Sequence, residues 1–359
     1  MILFNEFKRQ YSLIKEEVDI AVKRVLESGW YILGKEGESF EKEFSDYLSV
    51  KYCVGVANGT EAIALSLMAV GVEHGDEVIT TNMTAFPTIT AIMQIGAIPV
   101  VVDINSNDGL IDVTEIEKKI TNKTKAILPV HLYGQSCDID AIQNICSKHN
   151  VSLVEDCAQA TGTTYKGKKV GSYGACSAFS FYPTKNLGAY GDAGAIATND
   201  ESVYNKLLEL RNYGQSRRYY HDTVGINSRL DELQAAILRV KLKYLDQWNN
   251  RRKEIADFYK KNITTVECLE EHSYGSSNYH LFVVKSERRD ELISYLNENG
   301  VNALIHYPVP INKQKAFNRQ SSEEFPATEN LANSILSLPM YPDLSDDEIN
   351  EVVKVINNF

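Results

Sequence analysis

The sequence predicts an α/β protein: a large unit with a mostly parallel sheet covered by helices on both faces, followed by a small C-terminal α+β unit. Two observations carry this. From about residue 53 to 200, short β-branched runs alternate with stretches whose apolar residues recur at helical spacing. From about Leu230 to Asn262 runs one long helical pattern rich in Leu, Ala, Lys and Glu, of the kind that connects two units. The boundary is set there, with the large unit over 1–245 and the small one over 246–359.

Ahead of the sheet, "SLIKEEVDIAVKRVLES" puts Ile14, Val18, Val22 and Val25 on one helical face, and Gly29 supplies a stop. The strand patterns are "CVGVA", "EVITT", "IPVVVD", "KAILPVHL", "VSLVEDC", "CSAFSF" and "AGAIAT", and the helical ones between them "TEAIALSLMAV", "TITAIMQIGA" and "DIDAIQNICSKHN". Helical crossovers leave successive strands parallel and buried on both faces. Ligands of such sheets bind beyond the carboxyl ends of the strands. His131, Asp156 and Lys185 each lie at or just past a strand pattern, so they are expected to converge on one crevice. Beyond Asn262, "YHLFVV", "RRDELISYLNENG" and "EINEVVKVINNF" mix strand and helix, which suits a small unit.

The 359 residues, 43% hydrophobic and 24% charged, suffice for a sizeable core. A formal net charge of -11 repels a phosphate backbone, which argues against nucleic-acid binding. The six cysteines form no CxxC pairs and are too sparse for a secreted disulfide scaffold, so they read as reduced, and no metal site is expected. "MILFNEFKRQ" lacks a basic stretch followed by an apolar core, and no apolar run approaches the roughly 20 residues that cross a bilayer. A cytoplasmic protein with no membrane partner is expected.

Three stretches suggest chemistry. In "FSFYPTKNLGAYGDAGAI", Lys185 follows a short apolar strand and precedes a run of small residues. In "VSLVEDCAQATG", Asp156 ends a buried strand; taken alone, such an Asp is a helix cap or turn residue. It could equally face a cationic ring nitrogen and keep a pyridine protonated, so that the ring withdraws electrons from an adjacent carbanion. Paired with a lysine that forms an imine, this is the arrangement of pyridoxal phosphate (PLP). In "VANGTEAIALSL", Gly59 and Thr60 open a helix after a strand, where free N–H groups and the helix dipole bind phosphate. The glycines of "GAYGDAGAI" precede a strand at GxxGxxG spacing, which excludes a dinucleotide loop.

The ordered set "GWYILGKEGESFEKEF", "VANGTEA", "PVHLYG", "VEDCAQATG", "SFYPTKNLG", "GINSRLDELQAAIL" and "HYPVP" resembles the DegT/DnrJ/EryC1/StrS family of PLP-dependent sugar aminotransferases, over nearly the whole chain. The resemblance implies the aspartate aminotransferase fold (PLP fold type I). It also implies that Lys185 carries the imine and shuttles the proton between amino donor and cofactor, that Asp156 pairs with the pyridine nitrogen, and that Gln159 donates to the phenolic oxygen. Gly59, Thr60 and Ser180 would hold the phosphate. Asn227 and Arg229 would reach across a homodimer interface, the amide to the neighbour's PLP phosphate and the guanidinium to a nucleotide diphosphate. His306 and Tyr307 would lie near the nucleotide, and Tyr31 and His131 near the sugar; from the residues alone, His131 is a hydrogen-bonded core histidine.

Two departures stand out. Where relatives usually stack an aromatic ring on the PLP face, this chain has Ala85, with Phe86 one place later, so either Phe86 stacks through a local shift or a smaller contact replaces it. The segment "KNLGAYGDAGA" resembles the branch acting on 3-keto nucleotide sugars. The expected activity is therefore transfer of the amino group of L-glutamate to C3 of a dTDP- or UDP-linked keto-deoxysugar. The rivals are a C4 aminotransferase and a non-catalytic regulator on the same fold. Relatives that eliminate a sugar hydroxyl carry His at the lysine position, so Lys185 argues for transfer.

Overall fold

The structure, a computed structural model, describes residues 1–317 and 323–359. Its centre is a seven-stranded sheet built from the predicted runs: β1 (Tyr52–Val56), β2 (Glu77–Thr81), β3 (Ile98–Val102), β4 (Thr124–Leu128), β5 (Ser152–Asp156), β6 (Cys176–Ser180) and β7 (Gly194–Thr198). The spatial order is β1-β7-β6-β5-β4-β2-β3. From β6 through β3 every pairing is parallel, and β7 runs antiparallel to both of its neighbours, β1 and β6. That reversal places the start of β7 at the same edge as the carboxyl ends of the other strands. The loops after β1, β2, β4, β5 and β6 and the loop before β7 therefore meet there.

Every residue of β6 and β7 is buried, as expected of central strands covered on both faces. Alternation along β6 sorts its side chains between two helices. Phe179 and Phe181 face α2 (Lys35–Leu48), meeting Phe44 edge-on at ring-centroid distances of 5.0 and 5.2 Å. Ala178 packs with the apolar face of α3 (Gly59–Ala69), and Ser180 abuts the first residue of that helix. Each aromatic pair adds about 0.5–1.5 kcal/mol beyond its buried area, which fixes the strand that leads into Lys185.

The N-terminal helix α1 (Phe7–Ser28) buries Ile14, Val18, Ala21 and Val25 and ends at Gly29, which has φ 66°. The long helical pattern predicted from Leu230 to Asn262 is instead two helices, Glu232–Leu242 and Leu245–Asn262. The chain turns at Lys243 and Tyr244, which lets Leu245 enter the central core while Trp248 stacks on Tyr244 in the cluster beneath α1. Beyond it, strands Glu267–Cys268, Phe282–Lys285 and Ile335–Leu338 form a small antiparallel sheet. A separate apolar cluster covers it, drawn from residues between Ile255 and Ile356 and from Ile2. Among the described residues no helix is long and apolar enough to cross a membrane.

Candidate active site

A cavity of about 280 Å³ opens at the edge where the loops meet, lined among others by Gly59, Thr60, Asp156, Gln159, Ser180 and Lys185. Six residues separated by up to 126 positions in sequence thus converge as the sheet topology requires.

Lys185 sits in a tight turn closed by its own N–H, which donates to Tyr182 O at 2.8 Å. Burial pulls its ammonium down from the ordinary lysine value to about 8, with Asp156 opposing the shift. A neutral, nucleophilic amine is then well populated near neutrality, where an unperturbed lysine has roughly one part in a thousand. Asp156 is buried; one carboxylate oxygen accepts the N–H of Ala158 at 3.1 Å and the other the Thr88 hydroxyl at 3.0 Å. The Thr88 oxygen in turn lies 2.9 Å from the Thr84 hydroxyl. Burial pushes the Asp156 carboxyl above its usual range, with Ala158, Thr88 and Lys185 opposing. A buried carboxyl of this kind is stabilised as an anion by a cationic partner in the cavity.

At the helix entrance, Asn58 caps α3 by accepting the Glu61 N–H at 2.9 Å. A Cβ at Gly59 would stand 2.6 Å from Ser180 Cβ, so glycine is what lets the helix start and the strand end come together. The result is a cradle of backbone N–H groups flanked by the Thr60 and Ser180 hydroxyls, a donor set suited to a phosphate. Gln159 accepts the Tyr133 N–H at 2.7 Å through its oxygen and donates one amide N–H to the Tyr307 hydroxyl at 2.9 Å. Its second amide N–H remains for an acceptor in the cavity. Cradle, cationic-nitrogen acceptor, amide donor and lowered lysine together fit PLP, a ring with a phosphate, a basic nitrogen and a phenolic oxygen at separate corners. When bound, this group supplies an electron sink for the carbon that gains or loses nitrogen.

Other predicted residues take different places. Phe86 opens α4 (Phe86–Gln94) and packs outward against the cluster of Ile89, Val101, Ile311, Phe317 and Phe325, while Ala85 lines the cavity. Of the two readings, this placement favours the smaller contact: Ala85, not Phe86, lines the cavity. His131 is fully buried; its Nε2 lies 3.1 Å from Glu155 and its Nδ1 accepts the Cys137 N–H. Both ring nitrogens are spent inside the protein, so the geometry favours the core-histidine reading over a sugar contact. With Cys157 they form the one metal-ligand-like trio found among the described residues. Glu155 already accepts from Gly171, Tyr173 and Gly174 as well as bonding His131, so its oxygens are committed within the protein. Burial works against the Glu155 charge, and His131 with the backbone donors outweighs it, holding the carboxyl low.

Tyr307 lies beside the cofactor corner through Gln159, and His306 bonds Ser337 Oγ at 3.0 Å. Burial, then Lys185, holds the His306 imidazole down to about 4, so it is neutral at working pH. Tyr31 is exposed beside Trp30, on a segment held where its carbonyl accepts the Glu232 N–H at 3.0 Å. Asn227 is exposed, and Arg229 bonds Asn212 at 3.0 Å and packs over the Tyr213 ring; neither lines the chain's own cavity. Sequence reasoning missed Tyr133 and Thr88 as structural parts of the site. Tyr133 takes φ 59°, joining Gln159 through its N–H and the His306 carbonyl through its hydroxyl. Its place in "PVHLYG" was the available signal.

Fold and site together define a PLP-dependent aminotransferase of fold type I. The chain belongs to the DegT/DnrJ/EryC1/StrS aminotransferase family, whose model matches residues 12–357. It is 47% identical to the dTDP-3-amino-3,6-dideoxy-alpha-D-galactopyranose transaminase of Aneurinibacillus thermoaerophilus, over 100% of this chain and 99% of that one. It is 43% identical to the erythromycin biosynthesis sensory transduction protein EryC1 of Saccharopolyspora erythraea, over 98% of each. The crystal structure of S. venezuelae DesV in complex with a ketimine intermediate superposes with a TM-score of 0.97 at 40% identity, covering 99% of this chain and 98% of that one. Solved structures of related chains include forms bound to PLP and to its amino form.

Proposed function

We propose that the protein transfers the amino group of L-glutamate to C3 of a dTDP- or UDP-linked keto-deoxysugar. The observation that carries the transfer reading is Lys185, a lowered-pKa amine in one cavity with Asp156 and the Gly59–Thr60–Ser180 cradle. In the catalytic cycle Lys185 binds the cofactor and then moves a proton, Asp156 holds the ring nitrogen charged, and Gln159 donates to the phenolic oxygen. The C3 preference is supported by the name of the 47% identical transaminase and by the "KNLGAYGDAGA" segment. Offering 3-keto and 4-keto nucleotide sugars in parallel, with NMR of the products, tests it: amine at C4 alone overturns the C3 assignment in favour of the C4 rival.

The second reading, a regulator without turnover, is favoured by the name of the EryC1 relative. A yellow protein whose colour glutamate bleaches speaks for turnover; a colourless protein that stays inactive after PLP is added speaks for the regulator.

We also propose a homodimer in which Asn227 and Arg229 of one chain complete the site of the other, located in the cytoplasm. The support is that these two residues stand outside their own chain's cavity, in a surface rich in exposed aromatics that includes Tyr213, Tyr219 and Tyr220. Tyr31, on the exposed Trp30–Leu33 segment, and His306 and Tyr307 are then candidates for the sugar and nucleotide side. The chain divides into units over 1–245 and 246–359, a reading supported by the separate apolar cluster that runs from Ile255 to Ile356.

A further inference from the structure

The residue after the lysine is buried and bonded on all sides. Asn186 donates its two amide N–H groups to Asn249 Oδ1 at 2.8 Å and to the Asn278 carbonyl at 2.9 Å, and its Oδ1 lies 3.1 Å from His280 Nδ1. With both N–H groups committed, the Asn186 oxygen must accept, so His280 carries its proton on Nδ1. Asn278 continues the network: its Nδ2 donates to the Thr161 carbonyl at 3.0 Å, its Oδ1 accepts the His280 N–H at 3.0 Å, and its own N–H donates to the Gly134 carbonyl at 3.2 Å. Asn249 also donates to the Thr161 carbonyl, at 3.1 Å.

Five segments therefore share one hub: the turn of Lys185, the loop after Gln159, the loop after Tyr133, the helix Leu245–Asn262 through Asn249, and the chain that enters strand Phe282–Lys285. Gly134 belongs to the same fit, since a Cβ there would fall 2.0 Å from Asn278 Oδ1. Asn186, Asn278 and His280 are all buried, so the bonds between them are stronger than ones at the surface.

We propose that Asn186 and His280 are positioning residues that set the approach of Lys185 to the cofactor relative to Gln159, and couple that approach to the small C-terminal sheet. The inference rests on Lys185 being the cofactor lysine. Burial, reinforced by Lys185 and Arg252, keeps the His280 imidazole well below its usual range, so it holds Asn186 as a neutral donor.

The test compares His280→Gln, which can still donate to Asn186, with His280→Leu and Asn186→Ala in the PLP-loaded protein. The readouts are the pH titration of the visible cofactor band, kcat and KM for glutamate, and PLP affinity by equilibrium dialysis. His280→Leu and Asn186→Ala are expected to move the midpoint of the band by about one pH unit and to lower kcat about tenfold. KM and PLP affinity change less than the rate, because none of the hub's hydrogen bonds involves Gly59, Thr60 or Ser180, and His280→Gln stays close to wild type. A His280→Leu protein that titrates and turns over like wild type overturns the proposal, even if Asn186→Ala does not fold. Borohydride reduction of the wild type with peptide mapping separates the two levels: an adduct at Lys185 with unshifted variants sinks the proposal alone, and an adduct elsewhere sinks the lysine assignment with it.

Discussion

Lys185 and Asp156 are tuned in opposite directions by the same burial, and each opposes the other's shift. For the lysine, loss of hydration disfavours the ammonium and lowers its value to about 8. The apo protein should therefore capture PLP faster as pH rises, with a midpoint near that value and not near the ordinary lysine value. Stopped-flow absorbance across the alkaline range checks this, and a rate still climbing with a midpoint above 10 would contradict it. Lys185→Ala should abolish transfer outright, and Asp156→Ala should lose roughly a hundredfold or more in kcat with the fold intact. Thr88→Val removes one of the two protein hydrogen bonds to the Asp156 carboxylate, each such bond to a charged group being worth about 1.5–3 kcal/mol. Its kcat should fall between those of wild type and Asp156→Ala, measured at saturating donor and acceptor.

At the level of elements, the site depends on the contact between the start of α3 and the end of β6. Gly59→Ala puts a methyl group 2.6 Å from Ser180 Cβ, and overpacking of this kind costs about 1–3 kcal/mol. Because the strain falls on the phosphate cradle, PLP affinity should drop at least about tenfold, and the apo protein should also unfold a few degrees lower; dialysis and calorimetry measure the two separately. These elements were legible in sequence because each strand run has a β-branched core and each crossover a helical period. Asp156 and Lys185 were legible from their places at or just past strand ends, whereas Gln159 and Ser180 were legible only through the family resemblance. The break at Lys243–Tyr244 was not legible, since its residues continue the helical composition and only the burial of Leu245 and Trp248 in different clusters bends the chain. The choice between Phe86 and a smaller contact at Ala85 was open in sequence because a helix start turns neighbouring side chains by about 100° per residue, so the two face different surroundings.

At the scale of the whole molecule, the proposed homodimer requires that one chain alone hold an incomplete site. Lys185, Asp156, Gln159 and the cradle line a single cavity, whereas Arg229 is engaged with Asn212 and Tyr213 on a surface away from it. An acidic chain that binds an anionic donor, an anionic cofactor and an anionic nucleotide needs local cations, and a twofold axis lets each copy lend its guanidinium to the other. If that is the arrangement, two inactive proteins, Lys185→Ala and Arg229→Ala, should complement each other. Mixed after mild dissociation and reassociated with PLP, they form hybrids in which one of the two sites carries both a wild-type lysine and a wild-type arginine. Random exchange then restores about a quarter of the wild-type activity. A site completed within one chain restores none, whatever the state of association, because no chain in the mixture carries both residues. Activity after mixing, read against the two proteins kept apart, therefore decides whether the site is shared, and sedimentation of the same samples reports whether the hybrids formed.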